Sequence, residues 1–264
     1  MEILTGAAIG LLAGLHAATW GMYKDAPHEG FRWPTYVRSV WLGALLGAGL
    51  AAAGFVPTEA GEAVMFFGVA YALERACVEF YKTFLRVEDQ SKYFIPMQFH
   101  VLGRVVHDRL LRLVIGAGFV AGGLGLLTIA ASLRDARPSL AAVVAVGSLG
   151  GWFSAFAGAW KDAPIEGFET LKFFRSPALA GAYGALLWRF TGDPVAIAFA
   201  ATGLTIATLE TYKTFFFPGR PRGKFAGKPI RFPAMLRRRN AAVPVYVAIW
   251  VALIGAAAVG FTAG

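Results

Sequence analysis

Long apolar runs, broken by clusters of charge or by Gly and Pro, set the pattern of this chain. They predict eight helices, over 3–23, 40–56, 63–86, 113–133, 140–160, 177–191, 195–217 and 241–262. About 20 apolar residues in a helix match the hydrocarbon thickness of a bilayer. The expected fold class is an all-α polytopic membrane protein. The first run does not read as a signal peptide: it opens on Met1-Glu2, acidic where a basic region is required, and it is long for an h-region.

Composition agrees with this reading. Of the 264 residues, 57% are hydrophobic and only 16% charged, and the mean hydropathy is +0.57. Soluble domains carry roughly 25% charge. A soluble enzyme, a disordered chain and a secreted disulfide scaffold are thereby excluded. Cys77 is the sole cysteine, so neither an intramolecular disulfide nor a Cys-rich metal site can form.

The distribution of charge sets the sidedness. Of the 25 Lys and Arg residues, 21 fall in the segments after the first, third, fifth and seventh runs. Positive charge stays on the cytoplasmic side, so the expected location is a cell (inner) membrane, multi-pass, with both termini outside the cytoplasm. The pI near 9.9 is then a signature of topology, and no nucleic-acid partner is expected. The basic stretch 218–239 instead suits anionic lipid headgroups or a protein partner docking on this face.

An internal repeat is the most specific feature. Residues 21–39 read GMYKDAPHEGFRWPTYVRS, and 158–176 read GAWKDAPIEGFETLKFFRS, 137 residues later. Glu79-Phe-Tyr-Lys-Thr-Phe84 recurs as Glu210-Thr-Tyr-Lys-Thr-Phe215, and a weaker echo joins 92–99 to 224–232. The expected organisation is a 4+4 tandem duplication, 1–134 and 135–264, each a four-helix membrane repeat. An even number of spans per half makes the repeats parallel, related by a pseudo-twofold axis along the membrane normal. Gly6, Gly10 and Gly14, Gly43 and Gly47, and Gly147 and Gly151 have the small-xxx-small spacing of close helix contact.

The duplicated motifs hold the candidate site. In KDAPxEGF, Asp25 and Asp162 suit the cap of a short helix with Pro27 and Pro164 in its first turn. Phe168, Leu171 and Phe174, opposite Glu169, Lys172 and Arg175, suit an interfacial amphipathic helix. The alternative takes Lys24, Asp25 and Glu29, with Lys161, Asp162 and Glu166, as ligands or ion-pair partners around a shared entrance. In ExYKTF, Glu79 with Lys82 and Glu210 with Lys213 share a helix face as ion pairs. Together the two motifs would form one charged layer, with carboxylates for Mg²⁺ and Lys82, Lys213, Arg38 and Arg175 for phosphate.

Deeper in the third run, Glu74 and Arg75 are costly in hydrocarbon, so they mark either a pathway or an interhelical ion pair. The second half has Thr205 and Ile206 at the matching positions. Thr202, Thr205, Thr208 and Thr211 suit interhelical hydrogen bonds. His16 lies within the first run, without an obvious second intramembrane His to complete a haem site, while His100 and His107 are expected in solvent. No metalloprotease, nucleophile-elbow, EF-hand or phosphate-loop pattern is present. The first functional expectation is transport of a small solute or ion through a charged site at the cytoplasmic helix ends. The alternatives are a membrane enzyme acting on a phosphate-bearing lipid, the one case implying Mg²⁺, or an accessory subunit of a membrane complex.

Overall fold

The computed structural model describes residues 1–91, 93–134, 139–161, 163–217 and 225–263. Among these, eight helices of 18 residues or more carry the architecture: α1 (Glu2–Glu29), α2 (Trp33–Ala52), α3 (Ala60–Phe80), α4 (Arg109–Ala131), α5 (Leu140–Lys161), α7 (Thr170–Leu187), α8 (Pro194–Phe215) and α10 (Val243–Thr262). Two short helices, α6 (Ala163–Glu166) and α9 (Ala234–Arg238), lie in the connections. Five segments are long and apolar enough to cross a membrane: α1, α4, α5 through Trp160, α8, and the run Ala234–Thr262 that ends in α10. Large apolar side chains such as Trp41, Leu45, Leu124, Val251 and Ile254 point outward. Water would penalise such a surface and lipid does not. The chain is an all-α, multi-pass membrane protein.

Glycine sets the closest packing. Gly6, Gly10 and Gly14 of α1 lie against Gly47, Gly43 and Ser39 of α2, and a Cβ at Gly6 would sit 2.6 Å from the Gly47 carbonyl oxygen. In the later half, Gly147 and Gly151 of α5 meet Gly184, Ala180 and Ser176 of α7 in the same way, with a Cβ at Gly147 only 2.6 Å from Gly184 Cα. Centrally, α3 crosses α8 where Gly68 meets Ala200 and Gly203. On the flanks, α10 packs on α3 and α4 on α8. The core between these elements is built from Phe67, Tyr71, Ile197, Leu204 and Ile249.

Three sequence expectations need correction. First, α1 does not stop at Asp25. It runs through Pro27 to Glu29, so Asp25 is an interior residue and not a cap. Pro27 has no N–H to give the Tyr23 carbonyl four residues back, and Arg239 Nη1 donates to that oxygen instead, at 2.9 Å. Beyond the helix end, the Pro27 carbonyl accepts from Arg231 N and Phe232 N, both at 2.9 Å. Second, the run expected to open at 177 opens earlier: α7 is continuous from Thr170 through Pro177, so the amphipathic stretch ending at Arg175 and the span it leads into form one helix. Third, His100 is buried. Residues His100–Val101 pair with Arg104–Val105 in a small antiparallel hairpin, and His100 Nδ1 donates to the Gln98 carbonyl at 3.0 Å.

Candidate functional site

Twenty-eight residues of α1 extend about 42 Å at 1.5 Å per residue, against a hydrocarbon core of about 30 Å. The charged last turns of α1, Lys24–Glu29, follow its apolar run. There they meet the start of α2 and the end of α3, which closes in a π-helical turn over Tyr81–Leu85. A cavity of about 290 Å³ opens between them. Asp25 and Glu29 form its α1 wall, Arg38 and Tyr36 its α2 wall, and Arg75 with Lys82 its α3 wall. Arg32, Arg86 and Tyr93 complete the lining, giving five cationic side chains against two carboxylates.

A hydrogen-bonded loop fixes the outer wall. Gln90 Oε1 accepts from Met97 N (2.9 Å) and Gln98 N (3.0 Å), and Phe99 N donates to the Thr83 carbonyl (2.9 Å). Arg86 Nη1 pairs with Glu88 at 2.9 Å, Tyr93 donates to the same carboxylate at 2.9 Å, and the guanidinium lies 5.4 Å from the centre of the Tyr93 ring. Asp89 accepts from Ser91 N and Oγ, which holds its carboxyl below the usual range. Among the described residues, Arg38 Nε and Arg86 Nε and Nη2 are buried and make no hydrogen bond. Arg38 also lies within the fields of Arg75 and Arg86, which oppose its charge, and of Glu74, which favours it.

Beneath the cavity, Arg75 is clamped by Glu74. Its Nη2 donates to Glu74 Oε1 at 2.8 Å, and its Nε donates to Oε2. Both side chains are buried, Glu74 completely. The pair is thus internal to α3 and not interhelical. From Arg75 a line of polar groups descends: the guanidinium stands 5.6 Å from the Trp20 ring centre, Trp20 Nε1 donates to Tyr71 OH at 2.7 Å, and Tyr71 OH lies 3.3 Å from His16 Nδ1. His16 itself is enclosed by Phe67, Tyr71, Tyr246 and Trp250, stacked on Tyr246 at 4.2 Å.

Of the sequence candidates, Asp25, Glu29, Arg38, Arg75 and Lys82 come together in the cavity. Lys24 turns elsewhere, to Glu210 Oε2 at 2.7 Å, and Lys213 holds the other Glu210 oxygen at 3.0 Å. This half-buried trio ties α1 to α8. Glu79 pairs with Lys82 at 2.8 Å, as the motif spacing predicts. Arg175 stands 5.9 Å from the Tyr212 ring centre in the later half, outside the cavity. Asp162 and the side chains of Lys161 and Glu166 lie outside the described residues. The cavity is lined by residues 17–97, all from the first copy of the motifs. Sequence reasoning counted Arg32 and Arg86 only as topological charge and did not single out Tyr36 or Tyr93. Their signal lay in their nearness to the first KDAPxEGF and ExYKTF motifs.

The spaced threonines divide by role. Thr208 and Thr211 reach other helices, with Tyr183 OH at 2.6 Å and Trp250 Nε1 at 3.1 Å. Thr202 bonds back to the Ala198 carbonyl of its own helix. Among the described residues, no three His, Cys, Asp or Glu side chains are grouped to hold a metal ion. No family model, curated protein or solved structure matches the chain.

Proposed function

We propose that this chain is a transport protein for a small anion, with the cavity between α1, α2 and α3 as its binding station on the cytoplasmic side. The carrying observation is the set of guanidinium N–H groups that this cavity leaves without an acceptor among the described residues, Arg38 Nε and Arg86 Nε and Nη2. A buried N–H left unmade is costly until an acceptor arrives. The polar line from Arg75 through Trp20 and Tyr71 to His16 extends this chemistry into the span, where polar groups are expensive and serve function. The magnesium-dependent lipid-enzyme alternative has no grouped donor set among the described residues to rest on.

In this reading the eight long helices all span a cell membrane, with the cavity face inside and both termini outside, as the basic segments favour. The organisation is a 4+4 duplication. The matching of α1–α2 by α5–α7, of Gly10 by Gly147, and of the α10–α3 contact by α4–α8 supports it.

The test is uptake by proteoliposomes offered radiolabelled chloride, sulfate or inorganic phosphate. At least one should accumulate, and Arg38→Gln should cut the rate at least tenfold at equal reconstituted protein. Uptake of none of them, or a rate that Arg38→Gln leaves unchanged, would remove this reading.

A further inference from the structure

We infer that the ligand of this cavity carries a phosphate group, gripped by the guanidinium forks of Arg38 and Arg86. The inference rests on the anion-capture reading above and narrows it to a substrate class. Three features of the cavity separate phosphate from other anions.

Donor geometry is the first. Arg38 Nε and Arg86 Nε and Nη2 are buried without hydrogen-bond partners among the described residues. A buried N–H left unmade is costly, and these belong to planar forks that match the oxygens of phosphate two at a time. Chloride is a single acceptor with no edge to match a fork. Two forks, one from α2 and one from the segment after α3, are matched by a tetrahedral oxyanion, which offers a pair of oxygens to each.

Charge is the second. Arg75, Lys82 and Arg86 each hold a carboxylate of their own, Glu74, Glu79 and Glu88, so the cations left to an incoming anion are Arg32 and Arg38 with the open face of Arg86. Arg86 keeps its Nη1 pair with Glu88, so the fork is held in place rather than left to swing.

Size is the third. A volume of about 290 Å³ exceeds what a bare ion fills and lies at the lower edge of small-molecule sites, which begin near roughly 300 Å³. A phosphate bearing a short substituent fits that space. Two sources share this chemistry: a soluble phosphate ester, or the headgroup of a membrane lipid. The lipid route has a feature of its own, because α2 turns Trp33 and Trp41 outward beside the cavity wall, and such aromatic residues settle at the bilayer interface.

The experiment uses the full-length protein, purified in neutral detergent and stripped of lipid. Glycerol 3-phosphate is titrated by calorimetry, with sodium chloride and sodium acetate as competitors. In parallel, phosphatidylglycerol retention is read by native mass spectrometry. Binding of either phosphate probe, weakened at least tenfold by Arg38→Lys and by Arg86→Lys, is the expected result. The lysine variants keep the charge and remove the fork, and their Tm guards against misfolding. Glycerol 3-phosphate binding assigns a soluble source; retention of phosphatidylglycerol alone assigns a lipid source. If chloride or acetate displaces the probe at equal concentration, or the lysine variants bind as well as the parent, the phosphate inference is wrong while anion capture stands. If no anion binds at all, both are wrong.

Discussion

At the scale of single residues, two arrangements decide how this chain is read. Pro27 breaks the hydrogen-bond ladder of α1, and Arg239, more than two hundred positions away, fills the gap at Tyr23 O while stacking its guanidinium 4.1 Å from the Tyr23 ring centre. Arg239→Ala should therefore lower stability by about 1–3 kcal/mol, the penalty for an unmade buried hydrogen bond. Pro27→Ala in that background should recover part of the loss, because position 27 then regains an N–H for Tyr23 O. Thermal denaturation of the two variants checks this, and an additive loss would contradict it. The second arrangement is the clamp of Glu74 on Arg75. Breaking a buried pair costs roughly 3–5 kcal/mol, so Glu74→Gln should destabilise by about that amount. Because it also releases Arg75 to the cavity, the surviving folded protein should bind anions more tightly, measurable as a lower Kd.

At the scale of elements, close backbone approach controls stability. Gly10 faces Gly43 across the α1–α2 contact, whereas Gly49 of α2 has open space where a Cβ would go. Gly10→Val should cost about 3 kcal/mol or more through overpacking, while Gly49→Ala should gain up to about 1 kcal/mol from helix propensity. Denaturant titration in detergent separates the two. The helices themselves were legible in the sequence, since apolar runs near 20 residues have few other fates. Their ends were less so. Pro27 reads locally as a stop, and only the tertiary contact from Arg239 permits continuation. Pro177 likewise lies inside α7, where local pattern suggested a break. His100 reads as solvated until the fold brings up Trp160 of α5, whose Nε1 donates to the His100 carbonyl at 3.1 Å, a non-local contact that helical periodicity cannot reveal.

At the scale of the molecule, the repeat and the cavity tell different stories. Glycines at matching positions of the sequence repeat pack α1 on α2 and α5 on α7. The cavity, however, belongs to the first half, and the second half has Thr205 and Ile206 where the first has Glu74 and Arg75. A copy without that arginine floor would lack the cavity's deepest cation, so the proposed anion capture rests on the first half, and Lys24–Glu210–Lys213 ties α1 to α8. Asp25, Glu29, Arg38 and Lys82 were recognisable from motif repetition, and Arg75 from its cost inside an apolar run. Arg32 and Arg86 were not, because a cation beside a span serves topology by default and only its neighbours in space give it a further role.

The most direct measurement is a crystal structure with tungstate, a heavy tetrahedral oxyanion located by its anomalous scattering. The account predicts a dominant peak inside the cavity, bridging the guanidinium groups of Arg38 and Arg86, and its disappearance in Arg38→Gln crystals. A cavity without a peak, or a dominant peak beside Lys24 and Lys213 instead, would show that the guanidinium groups of Arg38 and Arg86 have a purely structural purpose.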